Sequence, residues 1–519
     1  MGLAFLITLL AGLLRGSGLE GRPAGLFRDE LEKGYNAYAL AVEGGVVEFE
    51  VEPGAGPPIR WRRAPFLIDV MGVRTSAAYQ YASIPFVRLW GLTARGTRAA
   101  AAAVGTLTVA VIGLLLLRLW PPGPALAATF WLAVSPWHYV FSRWALEGVF
   151  VPLAMALALA GLAAVEAGRL WGAALTGAAL GFAFYAYAGA QPFILLWGAV
   201  LLVLYRSSVW RRPWSLAVGL ASFLALAAPR ALATFAPGGA RRLESIAVWT
   251  AEDATPARVV LRVIGNYLEH FNPVFLFLRG DELPRHAIPG LGQLLLVDAV
   301  FLPVGLVVLL RRRPPLASAL IAAFVCGPIG AAITRVGIPH GLRAFPMALP
   351  AAVISGVGIV ACMEWLIRRG AAASASGAGP TFGSPARRGR LLAALVFLAA
   401  AAWAGRVYLA YWRLYGNDPA VREAFAHAER LAFEQAFAAR GPNGRLSVNG
   451  FIPYAPYFVL FYGQLPPSET VRLGFEAQGI YLFDPTLATL AERRERLRPG
   501  DWLIDVTPAG PIALGGPLR

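Results

Sequence analysis

Long apolar runs, separated by short polar segments rich in arginine, fill most of the first 412 residues of the chain. A helix needs about 20 mostly apolar residues to cross the hydrocarbon core of a membrane. Suitable runs lie near residues 2–19, 97–118, 124–141, 148–165, 172–190, 191–205, 214–230, 291–310, 316–334, 346–366 and 391–412. The pattern therefore predicts a polytopic α-helical membrane protein with about eleven transmembrane helices, of which the sixth is the shortest.

The composition agrees with a lipid environment. Apolar residues make up 57% of the chain, charged residues only 15%, and the mean hydropathy is +0.58, whereas a soluble chain carries about 25% charged residues. The formal net charge of +16 would fit a nucleic-acid partner, but the arginines fall mainly in short segments between apolar runs. Arginines in such segments set the orientation of membrane helices. We therefore exclude nucleic acid as a partner and expect membrane lipids around the chain.

Basic residues occur in every second short segment, as around Arg118, Arg169 and Arg311. Because basic loops stay in the cytoplasm, this alternation predicts a multi-pass protein of the cell (plasma) membrane with a cytoplasmic N-terminus. After eleven spans the C-terminus would be extracytoplasmic. The Ala-, Ser- and Gly-rich segment from Ala371 to Pro385 is predicted to be a disordered cytoplasmic linker.

Two predicted outer loops, 20–97 and 231–290, are longer than simple connectors, and long loops often carry function. We assign them, with the spans, to a transmembrane module, 1–412. Beyond Trp412 the sequence has soluble character and predicts a small extracytoplasmic α/β domain, 413–519. Its predicted elements are the helices Pro419–Ala439, Pro456–Tyr462 and Pro485–Leu497 and the strands Leu446–Val448, Ile480–Phe483 and Trp502–Val506.

Side chains with useful chemistry collect in the predicted outer segments. Asp29 and Glu30 stand together soon after the first span, and adjacent carboxylates can serve as a general base and its hydrogen-bond or metal partner. A solvated acidic turn is the alternative interpretation. The remaining candidates are Tyr79, Tyr81, Arg143, Glu147, His270, Arg285, His286, His340 and Arg343.

The motifs around these residues follow one another in order. They include Phe27-Arg28-Asp29-Glu30, Ala78-Tyr79-Gln80-Tyr81, Ser135-Pro136-Trp137-His138, Phe141-Ser142-Arg143-Trp144, Glu269-His270-Phe271-Asn272 and Pro339-His340-Gly341-Leu342-Arg343. Together they resemble the GT-C superfamily of membrane glycosyltransferases, most nearly the branch of protein O-mannosyltransferases and lipid A aminoarabinose transferases. The resemblance covers the first ten helices and, more loosely, the tail, where residues 456–462 are similar to a segment of bacterial members.

The resemblance implies a GT-C-like fold and a polyprenyl-phosphate sugar donor in the outer leaflet. Asp29 matches the catalytic aspartate, which deprotonates an acceptor hydroxyl as that hydroxyl attacks the anomeric carbon with inversion, and Glu30 matches its neighbour. Glu147 takes roughly the place of an acidic residue in some members. The implied activity is hexosyl or pentosyl transfer, and lipid, glycan and protein acceptors all stay open.

The leaving lipid phosphate is anionic and needs arginine or protonated histidine beside it. The residues expected to bind the donor are Arg143, His270, Arg285, His286, His340 and Arg343, with headgroup anchoring, helix capping and structural packing as alternatives. Tyr79 and Tyr81 are expected to line an acceptor cleft or else to belong to an interfacial aromatic belt. Replacing Glu32 with Gln is expected to have little effect on transfer.

Other functions compete with glycosyl transfer. A transporter or lipid flippase would place charged residues within the spans near the midplane, and Asp298 is the obvious example. A scaffold that displays the tail would leave the two long loops unexplained. No metal ligand is assigned. Some superfamily members hold a divalent ion between carboxylates of two outer loops and others do not, so an ion between Asp29 and Glu147 stays open.

Overall fold

The computed structural model describes residues 1–49, 59–210, 212–236, 239–375, 385–441, 443–483, 486, 488–507 and 510–516. The chain divides into two compact units. The helical unit comprises Met1–Ser17, Ala102–Arg143 and Glu147–Trp412, and the mixed unit comprises Gly18–Ala101, Trp144–Leu146 and Arg413–Arg519.

Helices account for almost all regular structure in the described part of the helical unit. They are Gly2–Gly16, Pro122–Val134, Pro136–Phe141, Phe150–Glu166, Leu170–Ala186, Gln191–Leu204, Arg206–Trp210, Pro213–Phe235, Arg241–Glu244, Pro256–Glu269, Asp298–Arg312, Ala317–Cys326, Ile329–Ala332 and Ala348–Ala375. Two more, Ala94–Leu119 and Pro385–Asn417, contribute residues to both units.

Several helices have the length and apolar character that a membrane requires. Among the described residues, five are long and apolar enough to cross, namely Ala94–Leu119, Glu147–Glu166, Pro213–Phe235, Phe345–Ala371 and Arg387–Asn417. Shorter apolar helices lie at Gly2–Gly16, Pro122–Val134, Leu170–Ala186, Ala188–Leu204 and Ala317–Ala332. Each predicted span overlaps a helix. The membrane character is therefore supported, and the count of eleven crossings stays a prediction.

Small residues let helices of the helical unit touch along their backbones. A Cβ added at Gly177 would overlap the carbonyl oxygen of Gly219, and one added at Gly305 would overlap that of Ile354. In lipid, close van der Waals packing takes over much of the role that the hydrophobic effect has in water. Glycine at these positions therefore allows the helices to associate.

Two four-stranded sheets form the framework of the mixed unit. The strands of the first are β1 (Gly45–Phe49), β2 (Ile59–Arg63), β3 (Leu67–Val70) and β4 (Val73–Ser76), in the order β2-β1-β3-β4. The strands of the second are β5 (Leu446–Asn449), β6 (Ile480–Phe483), β7 (Trp502–Thr507) and β8 (Gly510–Gly515), in the order β6-β5-β7-β8. In the second sheet β5 is parallel to β6 and β7, and β8 is antiparallel to β7.

The helices of the mixed unit pack around these sheets. They are Arg28–Glu43, Ala78–Trp90, Pro419–Ala424, His427–Ala439, Ala455–Tyr462, Pro467–Leu473 and Leu490–Glu495. One hydrophobic core combines the first outer loop with the tail. Tyr457 is fully buried, its ring centroid is 5.0 Å from that of Phe49, and its hydroxyl donates to the carbonyl oxygen of Val47 at 3.2 Å.

The predicted elements of the tail are largely present. Strands β5, β6 and β7 begin where predicted and end at most one residue later. The predicted helix Pro419–Ala439 is interrupted at Ala426, whose φ of 50° lies in the left-handed region that a helix cannot contain. Residues 413–519 form one unit with residues 18–101, so a separate tail domain stays a prediction. Of the predicted linker, residues 376–384 lie outside the described residues.

Candidate active site

Asp29 lies in the first turn of the helix Arg28–Glu43, and the residue is partly exposed. A carboxylate in a first turn is stabilised by the positive end of the helix dipole. The phenol of Tyr454 is close to Asp29: its burial, and then the charge of Asp29, raise the pKa of that phenol. Asp29 is therefore held on a rigid element with access to solvent, which suits a general base.

Glu30, the next residue, is fully buried in an ion pair with Arg98. Its two carboxylate oxygens accept from Nε and Nη2 of Arg98 at 2.8 and 2.9 Å. They also accept from the backbone amides of Ala145 at 2.9 Å and Phe27 at 3.0 Å. With these partners Glu30 fixes the start of the helix, so we treat it as a residue that positions Asp29.

Glu32, on the same helix, is at the centre of a buried polar cluster. Its carboxylate accepts from the side-chain amides of Asn36 at 2.9 Å and Gln80 at 2.8 Å, and it pairs with the ammonium group of Lys33 at 3.4 Å. Glu32 and Lys33 are only 1% and 3% exposed. We therefore expect Glu32→Gln to lower the stability of the protein, because it removes the charge of a buried carboxylate beside a buried ammonium group; its small expected effect on transfer stays a prediction.

The two candidate tyrosines have different surroundings. Tyr79 is buried, donates to the carbonyl oxygen of Thr97 at 2.9 Å and accepts from the amide of Ala101 at 3.3 Å, so it belongs to the packing of the mixed unit. Tyr81 is partly exposed, and its hydroxyl donates to the carbonyl oxygen of Pro65 at 3.1 Å. Of the two, only Tyr81 has an exposed side chain, and its contact with an acceptor stays a prediction.

Arg143, in the helical unit, is fully buried. Its guanidinium donates to the carbonyl oxygens of Leu14, Arg15 and Ser17 at 2.8, 2.8 and 2.7 Å. These carbonyls end the helix Gly2–Gly16, where intrahelical partners run out. The contacts favour the helix-capping alternative, and we do not propose Arg143 as a phosphate ligand.

Glu147 is also buried and interacts electrostatically with Arg230 of the helix Pro213–Phe235. This arginine supplies a physical reason for a carboxylate within an apolar segment, because a buried charge needs a partner. Glu147 belongs to the helical unit and Asp29 to the mixed unit. A divalent ion shared by the two carboxylates therefore stays a hypothesis.

Three of the predicted donor-binding residues do come together in the helical unit. His286 donates from Nδ1 to Oδ2 of Asp281 at 2.8 Å, and the rings of His286 and His340 are 4.7 Å apart. The backbone amide of Gly341 donates to the same Asp281 oxygen at 2.6 Å. His270 accepts the backbone N–H of His340 on Nε2 at 3.0 Å. We call Asp281, His286 and His340, with His270 behind them, the histidine cluster.

Arginines accompany the histidine cluster. Arg343 donates from its backbone amide to Nδ1 of His340 at 3.3 Å and from its guanidinium to Thr334 and Val336 at 2.8 and 2.9 Å. Arg343 and Arg285 are both half-buried. Their positive charges help to lower the pKa of His286.

Burial decides the protonation of the imidazoles. It lowers the pKa values of His270 and His286, and, with the neighbouring His286 and Arg343, it lowers the pKa of His340 to about 2. Burial alone would raise the pKa of Asp281, but the hydrogen bond and charge of His286 outweigh it and the net shift is downward. At neutral pH the carboxylate is charged and the imidazoles are neutral. Positive charge for a phosphate must therefore come from arginine, not from protonated histidine.

Lys33 and Asp281 belong to these clusters but were not among the site residues predicted from the sequence. Lys33 is the only lysine of an arginine-rich chain, and that exception was the available signal. Asp281 lies in the same loop as its partner His286, whereas its other partner, the backbone amide of Gly341, comes from a distant segment.

The fold resembles that of solved membrane glycosyltransferases. Crystal structures of ArnT from Cupriavidus metallidurans, a lipid A aminoarabinose transferase, match in the apo state and bound to undecaprenyl phosphate, with TM-scores of 0.57 and 0.59. In both cases the identity is 14%, and the match covers 100% of this chain and 99% of that one.

The archaeal oligosaccharyltransferase AglB from Archaeoglobus fulgidus, in complex with an inhibitory peptide and a dolichol-phosphate, matches with a TM-score of 0.50 and 13% identity. That match covers 90% of this chain and 64% of AglB. No protein-family model and no curated protein matches the chain. The likeness is one of fold, and with ArnT it extends over the whole chain.

Proposed function

Because the chain has the fold of the GT-C superfamily of membrane glycosyltransferases, we propose that it transfers a sugar from a polyprenyl-phosphate donor to an acceptor hydroxyl outside the cytoplasm. The observation that carries the proposal is Asp29, partly exposed in the first turn of a helix whose start is fixed by the buried pair of Glu30 and Arg98. The lipid phosphates bound to ArnT and AglB give the donor class its support.

In the proposed reaction Asp29 accepts the proton of the acceptor hydroxyl. The hydroxyl oxygen forms a bond to the anomeric carbon, the bond from that carbon to the phosphate oxygen breaks, and polyprenyl phosphate leaves with the electron pair. Arg343, with Arg285, is the proposed ligand of this phosphate, because a guanidinium binds phosphate through two parallel hydrogen bonds. The sugar and the acceptor, whether lipid, glycan or protein, are not part of the proposal.

The proposed orientation follows from the reaction. A donor presented in the outer leaflet requires the catalytic loop there, so the N-terminus is proposed to be cytoplasmic and residues 413–519 extracytoplasmic, in the cell membrane. The arginines of the short loops predict the same orientation, with the N-terminus in the cytoplasm and the C-terminus outside it.

A transporter or lipid flippase gains no support from the mid-span charge that suggested it. Asp298 accepts from the indole of Trp131 at 2.6 Å and from the amide of Leu295 at 2.9 Å. Its hydrogen bonds hold the start of its own helix against a neighbouring helix. This is a structural arrangement, and no specific observation favours transport.

The decisive test is Asp29→Asn, which keeps the shape of the side chain and removes the proton acceptor. General base catalysis contributes roughly 10²–10⁴-fold in rate, so transfer from a polyprenyl-phosphate sugar in proteoliposomes should fall by that factor while donor binding stays. Asp69→Asn is the matched control, because Asp69 lies in the same outer loop and accepts from Gly72 through an oxygen that Asn retains. Wild-type transfer by Asp29→Asn would exclude Asp29 as the base.

A further inference from the structure

The histidine cluster has the geometry of an unassigned metal site. Asp281, His286 and His340 each offer one ligand atom, and these atoms all lie within 4.8 Å of one another. In a tetrahedral zinc site the ligand atoms stand roughly 3.4 Å apart, so the most distant pair would have to approach by at most about 1.4 Å to bind one ion. The chain has only five histidines, and three of them belong to this cluster.

The surroundings hold the ligands in place. Two amides, of Gly341 and Leu283, and the Nδ1–H of His286 all donate to the Asp281 carboxylate, which leaves about one acceptor position of the usual four. A bound ion would replace the proton that Nδ1 of His286 shares with Asp281, so that this nitrogen and the carboxylate oxygen, which are 2.8 Å apart, both become ligands.

His270 supports the site without being a ligand itself. Its Nδ1 donates to the carbonyl oxygen of Asn266 at 2.7 Å, and its Nε2 accepts the backbone N–H of His340. Both ring nitrogens are therefore used, and their hydrogen bonds fix the backbone at His340. Gly341 leaves room for this arrangement, because a Cβ there would lie 2.5 Å from the side-chain amide nitrogen of Gln293.

The ligand atoms indicate which kind of ion would bind. Two nitrogen donors and one oxygen donor suit Zn²⁺ and similar transition ions, whereas Mg²⁺ and Ca²⁺ prefer oxygen alone.

We infer that Asp281, His286 and His340 bind one Zn²⁺ ion, or a transition ion of similar chemistry, with the fourth coordination position open to an oxygen ligand. These residues differ from the carboxylate pair of Asp29 and Glu147. The inference goes beyond the proposed transferase activity and does not depend on it.

The test measures metal content of the full-length protein purified in detergent, equilibrated with Zn²⁺ or Co²⁺ and freed of excess ion. One ion per chain is expected, and bound Co²⁺ should show the intense visible absorption of a tetrahedral site. The double variant His286→Ala/His340→Ala should lose the ion and the absorption, whereas His427→Ala, which removes a histidine of the mixed unit, should keep both.

A second variant separates ligand loss from misfolding. Asp281→Asn keeps the shape of the side chain and should lower the affinity for Zn²⁺ while the protein stays monodisperse. Removing the orienting ring in His270→Asn should weaken binding by roughly 10–100-fold. A wild-type protein that takes up neither ion, or a double variant that binds as much metal as the wild type, would show that the cluster is only a hydrogen-bonded structural element. Neither result involves a sugar donor, so failure here leaves the transferase proposal untouched.

Discussion

At the scale of single residues, the surroundings of a carboxylate distinguish a candidate catalytic group from a structural one better than its place in a motif does. Asp29, Glu30 and Glu32 lie within one helical turn, yet only Asp29 is partly exposed. Glu30 is fully buried against Arg98, and Glu32 against Lys33. The sequence indicates that acidic residues gather at this point. It cannot tell which of them is buried, because Arg98 and Gln80, which contact Glu30 and Glu32, come from other helices.

The buried pair of Glu32 and Lys33 leads to a stability prediction. Glu32→Gln removes a negative charge that lies 3.4 Å from a buried ammonium group, which should cost about 3–5 kcal/mol. Thermal unfolding in detergent should therefore occur at a lower temperature, and Glu476→Gln, at an exposed position, should leave it unchanged. The double variant Glu32→Gln/Lys33→Met should be more stable than Glu32→Gln alone. If the single and double variants unfold alike, the pair is not coupled.

Arg343 tests the phosphate site. The substitution Arg343→Lys keeps a positive charge but loses the two-pronged geometry, so a loss of about 1.5–3 kcal/mol, roughly 10- to 100-fold in Kd for a polyprenyl phosphate, is expected. Arg335→Lys is the control, since Arg335 is exposed and donates to the carbonyl oxygen of Ser245. Binding of radiolabelled lipid to the purified protein measures the difference. An unchanged Kd would leave Arg343 with a role in headgroup anchoring alone.

The neutral imidazoles of His270, His286 and His340 predict how the binding of polyprenyl phosphate responds to pH. Their pKa values are lowered, so protonation, and any added attraction for phosphate, would begin only below the ordinary histidine range. The Kd for polyprenyl phosphate should therefore be constant from about pH 6 to pH 8, measured by the same lipid binding. Binding that tightens as pH falls through this range would mean that a histidine becomes cationic in the site.

At the scale of elements, periodicity predicted the helices and the strands of the tail. It did not predict which side chains make hydrogen bonds between elements. The strands β5, β6 and β7 stood out as short β-branched and aromatic runs bounded by turn residues. Strands β1 to β4, within the first outer loop, were not predicted. Strands β2 and β4 are exposed or half-buried at most positions, so their sequences lack a clear apolar alternation.

Arg143 is one such side chain. Because its guanidinium satisfies the last carbonyls of the helix Gly2–Gly16, Arg143→Gln should destabilise the protein by more than about 3 kcal/mol. Arg118→Gln, at an exposed position, should be neutral. Thermal unfolding and lipid binding should be measured together. A variant that unfolds like the wild type but no longer binds polyprenyl phosphate would indicate that Arg143 binds the donor.

At the scale of the whole molecule, hydropathy and charge give membrane character directly, but the grouping of segments depends on contacts that no single stretch of sequence contains. The first outer loop was assigned with the spans, yet residues 18–101 and 413–519 form one unit. The orientation of the chain is a separate question that labelling can answer. In a variant with Cys326 and Cys362 replaced by alanine, single cysteines at Arg387 and Glu469, both exposed, should react from opposite sides of intact spheroplasts. Reaction from the same side would contradict the proposed orientation.

The shared core of the mixed unit also sets an order of events during synthesis. Phe49 and Val47 leave the ribosome long before Tyr457, their partner in that core. Contacts between segments so far apart in the chain form late and slowly, and apolar surface that waits for its partner is prone to misfolding. The first outer loop must therefore stay incompletely folded until every helix of the helical unit has been made and the tail has followed. The unit that carries Asp29 therefore reaches its final fold only after the tail has been made.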